Sequence, residues 1–433
     1  MDKAREAAVY TLERVRRDGA WSSALTDTVK TKYALDDRSM SLAVGISLGV
    51  LQNMTLCDFY IDHFSRSASK IEPKVRDILR CAAYQILFMD KIPVSAAVNE
   101  AVSLCKKLGY SRAAGFCNAV LRKLGSAERL PEIPDEGTAS YLSVKYSHPL
   151  WFAEYMVDRR GYDGAEALLK ANNSEPETTL QVNTIKTGTD ELMKMLKNAG
   201  VVCSKHPWLP DCITVSGSVT AMPGFNEGLF YVQDPAAKCA ALCAELNETA
   251  HVLDACAAPG GKSFAAAIAM VDRGSIDSCD IHEKKIRLIE SGAQRLGLSS
   301  INAFARDARE PVSDKYDVII ADVPCSGYGV IRKKPEIRFK PQTDSAGLPP
   351  IQAAILENLS SAVRFGGVLV YSTCTLLKEE NEDIVTAFLE RHPEFSAESF
   401  VLPNGETAGK GYMTFWSDIH GTDGFFICKL RRK

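Results

Sequence analysis

Two cysteines stand on separate segments, Asp322-Val323-Pro324-Cys325-Ser326-Gly327 and Tyr371-Ser372-Thr373-Cys374-Thr375, downstream of the glycine-rich run Asp254-Ala255-Cys256-Ala257-Ala258-Pro259-Gly260-Gly261-Lys262. A thiolate is a soft nucleophile, and thiols on loops that follow strands suit a reaction that needs one. Carbon 5 of cytosine is too weak a nucleophile to attack a methyl sulfonium unaided. Addition of a thiolate at carbon 6 first gives carbon 5 carbanion character, so the pair points to methyl transfer onto a pyrimidine carbon. Amine methylation needs no thiol, and its usual Asp/Asn-Pro-Pro-aromatic run is replaced here by Asp322-Val323-Pro324-Cys325. These residues alone do not rank Cys325 against Cys374.

In Asp254 to Lys262 a strand ends, small residues and a proline turn the chain, and Gly260-Gly261 open a helix, so backbone can approach a ligand closely. A phosphate loop requires glycine five residues before Gly261, where Cys256 stands, and G-x-G-x-x-G is missing. Asp280, 20 residues after Gly260, ends the next predicted strand, where an acid accepts hydrogen bonds from ribose hydroxyls. Asp307, after the third strand, suits an adenine amino group or caps a helix. No acid is evident for pyrophosphate magnesium. An adenosyl ligand without phosphates fits best, and S-adenosylmethionine is the expected cofactor.

Beyond the first thiol loop, Arg332 to Lys340 holds five bases and one acid beside Phe339. Such a cluster is expected to grip phosphates and to stack or wedge a base. A base inside a duplex is out of reach, so the target would be single-stranded or flipped.

The elements that must position these residues follow from periodicity. From Lys3 to about Arg129 the apolar spacing is near 3.6 (Ala7, Ala8, Tyr10, Leu12 and Val15; Ile78, Leu79, Ala82, Ile86 and Leu87; Ala97, Val98, Ala101, Val102 and Leu104), which predicts an all-helical domain. Leu130 to Gly137, with two prolines and three acids, reads as a linker. A helix over Leu150 to Ala171 precedes strands at Thr179 to Asn183 and Gly228 to Val232, with a helix at Asp190 to Ala199 between them: a small α+β subdomain. From His251 strands and helices alternate. Strands are predicted at 251–254, 274–280, 302–305, 317–321 and 368–371, and helices at 263–270, 284–296 and 351–363. This is the pattern of a doubly wound parallel sheet, whose ligands bind at the carboxyl ends of the strands.

A chain of 433 residues implies two or three domains, and 46% hydrophobic with 24% charged residues is a globular composition. The amino terminus lacks the apolar region of a secretory signal. The uncharged run Ser39 to Cys57 is too rich in Ser, Gly, Asn and Gln for a membrane span and reads as a buried helix pair. Thirteen cysteines without a Cys-x-x-Cys pair fit a reducing cytoplasm and argue against disulfides and a zinc site. Net charge is −3, which excludes indiscriminate coating of nucleic acid. Residues 1–140 nevertheless hold 20 bases and 17 acids, and Ala101 to Ala127 holds five bases and no acid, a candidate phosphate-facing surface.

The motifs DACAAPGGKS (254–263), Asp280-Ile281-His282-Glu283, Asp307-Ala308, DVPCSGYGVIRKKPEI (322–337), YSTCTLLKEENE (371–382) and DGFFICKL (423–430) resemble those of the bacterial ribosomal RNA cytosine-5 methyltransferases of the Fmu/Sun (RsmB) type. YQILF (84–88), KIPVSAAVNEAV (91–102) and FCNAVLRK (116–123) are similar to the NusB-like helical domain of that subgroup. Ser147-His148-Pro149 with Trp151, Asn172-Asn173 and the region 223–234 are similar to its connecting segment.

The resemblance implies a Rossmann-like methyltransferase core at 236–433, a NusB-like all-α RNA-binding domain at 1–140, and linker helices with a small α+β (RRM-like) RNA-positioning subdomain at 141–235. It implies that Cys374 adds to carbon 6 and Cys325 assists release. Asp322 would hold the cytosine near the cofactor. Cys256, Ala257, Ala258, Pro259, Gly260, Gly261 and Lys262 would wrap S-adenosylmethionine, Asp280 its ribose and Asp307 its adenine. The expected product is 5-methylcytosine in small-subunit (16S) ribosomal RNA, made by a cytoplasmic monomer without metal or membrane. Transfer RNA as substrate, or a non-catalytic RNA-binding assembly factor, are the alternatives. Tyr328 departs from the small residue or threonine common in relatives and is expected to affect how the target loop fits.

Overall fold

A computed structural model of the chain describes residues 2–66 and 68–433. By its internal contacts the chain divides into two compact units, Met1–Ser174 with Ile331–Lys340, and Glu175–Val330 with Pro341–Lys433.

The first unit is helical: α1 (Lys3–Asp18), α2 (Thr26–Tyr33), α3 (Asp37–Gln52), α4 (Met54–Phe64), α5 (Pro73–Phe88), α6 (Val94–Lys107), α7 (Ala114–Gly125), α8 (Ala139–Lys145) and α9 (Leu150–Ala171). Local chemistry sets their ends. Asp2 accepts the Ala4 amide at the start of α1, Gly19 closes it with φ +59°, and Asp36 accepts from the Ser39 amide to open α3. The apolar stripes bury Leu12, Ile46, Leu51, Ile61, Leu79 and Leu121 in one core. Gly49 permits α3 and α5 to pack closely, because a Cβ there would lie 1.9 Å from the Tyr84 ring. The uncharged run is indeed a helix pair, α3 and α4, bent by 80°; among the described residues no single helix is long and apolar enough to cross a membrane. The expected continuous helix from Leu150 is broken at Gly161, whose φ of 71° and ψ of 170° lie outside helical values.

The second unit opens with β1 (Thr178–Val182), α10 (Thr189–Asn198), β2 (Cys203–Lys205), β3 (Cys212–Val215) and β4 (Phe230–Val232), an antiparallel sheet in the order β2-β3-β1-β4. The strands β2 and β3 are absent from the sequence reading: three or four residues among Ser, Pro and Gly carry too little alternation to register. After α11 (Pro235–Leu242) come β5 (His251–Asp254), α12 (Gly261–Ala269), β6 (Ser275–Asp280), α13 (Glu283–Leu296), β7 (Ile301–Ala305) and β8 (Tyr316–Asp322). The chain ends with α14 (Leu348–Ser360), β9 (Val363–Thr373), α15 (Glu382–Arg391), β10 (Phe395–Ala397), the hairpin β11 (Phe400–Val401) and β12 (Thr407–Ala408), β13 (Tyr412–Phe415), α16 (Ser417–His420) and β14 (Phe425–Arg432).

The large sheet runs β10-β14-β9-β8-β5-β6-β7, with β13 also on β14. It is parallel from β7 to β9, as the alternation predicts. The edge differs from a purely parallel sheet, because β14 lies antiparallel on β9 and carries β10 and β13 antiparallel on itself. Alternate residues serve opposite faces: Val252, Ile320 and Val370 pack with α12 and α13, and Leu253, Ile319 and Leu369 with α14 and α15. Strand order reverses at β5 and β8, so their carboxyl ends border the crevice where such sheets bind ligands.

Candidate active site at the carboxyl edge of the sheet

Register brings the suspected residues to one edge. Asp254 pairs with Ser278 and Ile320, so Asp280 and Asp322 stand two positions beyond it on the flanking strands, and Asp322 pairs with Ser372 on β9. The loops after β8 and β9 therefore leave side by side, and the Cys325 and Cys374 sulfurs, 49 residues apart in sequence, lie 3.1 Å apart. The neighbouring Cys374 sulfur and burial push the Cys325 thiol well up.

Beside them the Lys262 ammonium bridges to Asp322 at 2.5 Å, and the Ser372 hydroxyl donates to the other Asp322 oxygen at 2.9 Å. Burial opposes the Lys262 charge, but Asp322 outweighs it and holds the ammonium above its ordinary range. Phe425 lies under the same ammonium at 5.3 Å.

The glycine loop is built by packing as much as by ligand approach. Gly260 has φ +111°, and a Cβ there would come within 2.5 Å of Phe264; one on Gly261 would meet the Gln233 amide at 2.9 Å. The Ala257 amide donates to Cys279 on β6, which seats Cys256, Ala257 and Ala258 against the sheet, and Pro259 is exposed. Asp254 is fully buried: one oxygen accepts from Ser263, which itself accepts from Ser278, and the other has no hydrogen-bond partner among the described residues. Burial pushes its carboxyl up to about 6. Burial likewise raises the Cys256 thiol, reinforced by Asp254, Asp322 and Asp280 around it. Three carboxylates about one loop repel phosphate and favour a ligand with ammonium or sulfonium charge, so the residues fit an adenosyl sulfonium cofactor.

Asp280 is buried at the end of β6 and accepts the His282 amide at 2.9 Å. Asp307 follows β7, one strand further out; both its oxygens are taken by Arg309, at 3.0 and 2.6 Å, which holds its carboxyl below the usual range.

The basic run after the first thiol loop requires a correction. Its Arg338 does not reach outward for phosphate. The guanidinium is buried in the helical unit and donates to five oxygens, on Gln52, Tyr146, Ser147, Asn172 and Asn173. Arg332 is buried too, while Lys334 and Lys340 lie over Trp21. The motifs Ser147-His148 and Asn172-Asn173 thus form the Arg338 cage, and His148, whose charge burial strongly disfavours, bonds Tyr146 and Asn172 within it. The five bases of 101–127 are all exposed, Lys107 paired with Glu6. Tyr328 is buried, 2% exposed, so its ring serves packing under the loop.

The sequence reading assigned no role to Glu380, Asn381 or Gln352, which hold the two thiol loops by hydrogen bonds. Nine of the thirteen cysteines are buried; Cys203, Cys256, Cys325 and Cys374 are the less buried four. Among the described residues no group of side chains is arranged to hold a metal ion.

Three family models match the chain: the 16S rRNA methyltransferase RsmB/F model over 241–431, the NusB family over 2–126, and the ferredoxin-like domain of RsmF/B-like methyltransferases over 148–221. The chain is 34% identical to the probable ribosomal RNA small subunit methyltransferase B of Bacillus subtilis, across 99% of this chain and 98% of that protein. It is 30% identical to ribosomal RNA small subunit methyltransferase B of Salmonella paratyphi A, across 99% of this chain and 98% of that one. Among solved structures, PH0851 superposes with a TM-score of 0.82 at 24% identity, covering 100% of this chain and 99% of that one. A methyltransferase homolog protein from Pyrococcus horikoshii superposes at 0.59 with 26% identity, covering 67% and 98%. Likeness that runs from end to end makes this chain a member of the RsmB/F family of 16S rRNA methyltransferases.

Proposed function

We propose that the protein forms 5-methylcytosine at one position of 16S ribosomal RNA through a covalent adduct between Cys374 and carbon 6 of the base. The observation that carries this reading is the sulfur pair, 3.1 Å apart, beside the Lys262–Asp322 pair at the cofactor loop. S-adenosylmethionine supplies an electrophilic methyl group; making carbon 5 receptive to it falls to the chain. Cys374 loses its proton to solvent, its sulfur bonds to carbon 6, and electron density moves to carbon 5. Asp322, held by Lys262 and Ser372, orients the ring edge. Once carbon 5 is substituted its proton passes to solvent water, the electron pair it leaves re-forms the carbon 5–carbon 6 double bond as the carbon 6–sulfur bond breaks, and the Cys325 S–H stabilises the departing Cys374 thiolate. The raised Cys325 thiol supports that role as a proton-bearing partner.

In the same reading Cys256 to Lys262 wrap the cofactor and Asp280 takes its ribose. An adenine amino group at Asp307 would have to compete with Arg309. Residues 1–140 bind RNA, 141–235 position it, 236–433 catalyse, and the protein acts as a cytoplasmic monomer without a metal.

The test is methyl transfer from labelled S-adenosylmethionine to unmodified 16S rRNA and to transfer RNA, with Cys325→Ala and Cys374→Ala alongside and products resolved on a denaturing gel. Label in 16S rRNA, a protein–RNA adduct accumulating with Cys325→Ala, and neither with Cys374→Ala are expected. Turnover by Cys374→Ala overturns the mechanism, and label only in transfer RNA overturns the substrate.

A further inference from the structure

Each catalytic thiol has both of its chain neighbours tied down, and the ties converge on two consecutive residues. Around Cys325, the Pro324 carbonyl accepts from Gln352 at 2.9 Å, and the Ser326 amide donates to a Glu380 carboxylate oxygen at 2.9 Å. Gln352 also donates to that oxygen, at 2.8 Å. Around Cys374, the Thr373 hydroxyl donates to the Asn381 side-chain oxygen at 2.5 Å, and the Asn381 side-chain nitrogen donates to the Thr375 carbonyl at 3.0 Å. The Ser326 and Thr375 hydroxyls join the two loops directly at 2.7 Å. The Glu380 carbonyl accepts from the Tyr371 hydroxyl at 2.6 Å, which fastens the pair to β9.

Glu380 is 1% exposed, and among the described residues no cation pairs with it. Burying a carboxyl in that state destabilises the fold, and stability alone favours an apolar side chain there. Two sulfurs on separate loops, by contrast, need a rigid frame to stay in hydrogen-bond reach, and a shift of about 1 Å in such a pair costs catalysis heavily. Resting on the two-thiol reading above, we propose that Glu380 and Asn381 are positioning residues forming one clamp, Glu380 on the Cys325 loop and Asn381 on the Cys374 loop, that sets the sulfur–sulfur spacing on which adduct release depends.

The test reads that spacing without RNA or cofactor. Diamide takes two electrons and two protons from a pair of thiols as they form a disulfide, and peptide mapping of the Cys325–Cys374 cross-link against time reports how often the sulfurs meet. Glu380→Ala is expected to slow the cross-link about tenfold or more and to accumulate RNA adduct in the methylation assay. Glu380→Gln is expected to restore the cross-link to within about twofold, because an amide oxygen can accept from both Ser326 and Gln352. Asn381→Asp keeps the acceptor for Thr373, loses the donor to Thr375, and is expected to slow the cross-link as well. S-adenosylhomocysteine affinity, measured on each variant, is expected to stay near wild type. Wild-type cross-linking in Glu380→Ala and Asn381→Asp, or a Gln variant no better than Ala, overturns the clamp. A wild type that cross-links but leaves 16S rRNA unmethylated refutes the methyltransfer reading instead.

Discussion

Asp254 offers a test of the buried electrostatics from a single atom change, Asp254→Asn. Burial pushes this carboxyl up to about 6, against the resistance of the Ser263 hydroxyl and the Lys262 charge, whereas an aspartate in the unfolded chain titrates near ~3.9. Below about pH 4 the group is protonated in both states and contributes nothing to the difference between them. Between about 4 and 6 the unfolded chain ionises while the folded one keeps its proton, so stability falls as pH rises. Above about 6 both are ionised and the folded state carries the full penalty, about 3 kcal/mol from the gap between the two values. Asparagine abolishes that slope. It also puts an amide nitrogen where the partnerless Asp254 oxygen stands, a constant cost of roughly 1–3 kcal/mol for an unsatisfied donor. The net stability at neutral pH is therefore a poor readout, and the pH slope is the diagnostic one.

The assay is native-state hydrogen exchange of the β5 and β6 amides in the full chain, wild type against Asp254→Asn at about pH 4.5, 6 and 7.5, so that intrinsic exchange cancels at each pH. The variant should gain about 2 kcal/mol on wild type between about pH 4.5 and 7.5, because at about pH 4.5 the unfolded aspartate is already largely ionised and about 1 kcal/mol of the penalty is present there. Parallel pH dependences in the two proteins would refute the reasoning.

Gly329 donates to the Cys374 carbonyl and accepts from Gly424, and a Cβ on it would stand 1.9 Å from the Gly424 oxygen. Gly329→Ala must therefore shift backbone at Cys374; single-turnover methyl transfer should fall on the order of 10²-fold, with S-adenosylhomocysteine affinity by calorimetry unchanged. Arg338→Met leaves five oxygens of the cage without their donor. Amide exchange at 146–148 and at the end of α3 should speed up in that variant, by an amount equivalent to roughly 3–5 kcal/mol. Arg338→Lys, with three donors instead of a planar fork, should recover only part of it.

Much of the fold is legible in the chain because it is written in short-range periodicity. The 3.6-residue stripes of the amino-terminal helices and the strand, glycine turn and helix rhythm after His251 depend on neighbours a few residues apart. Three features escape that range. The break at Gly161 is invisible because glycine permits a non-helical backbone without requiring it. The strands β2 and β3 exist only because β1 supplies the ladder on which they form. The antiparallel edge at β14 is settled by where the last apolar strand can be buried on both faces, which no local pattern states.

The site divides in the same way. Sequence alone determined which groups are available: two loop thiols, an aspartate ending β8, a glycine loop opening a helix, and acids at strand ends, each readable from residue type and from its place after a strand. Only the tertiary structure decided which of these meet. Cys325 touches Cys374 because Asp322 and Ser372 are in register on adjacent strands. Glu380 and Asn381 can tie both loops because the chain turns back beside them after β9. Charge misled the reading of Arg338, since a basic run looks the same whether its side chains face water or a cage of carbonyl oxygens. Residue type sets what a side chain can do over an ångström or two; which partner stands at that distance follows from strand order, register and burial across the whole chain.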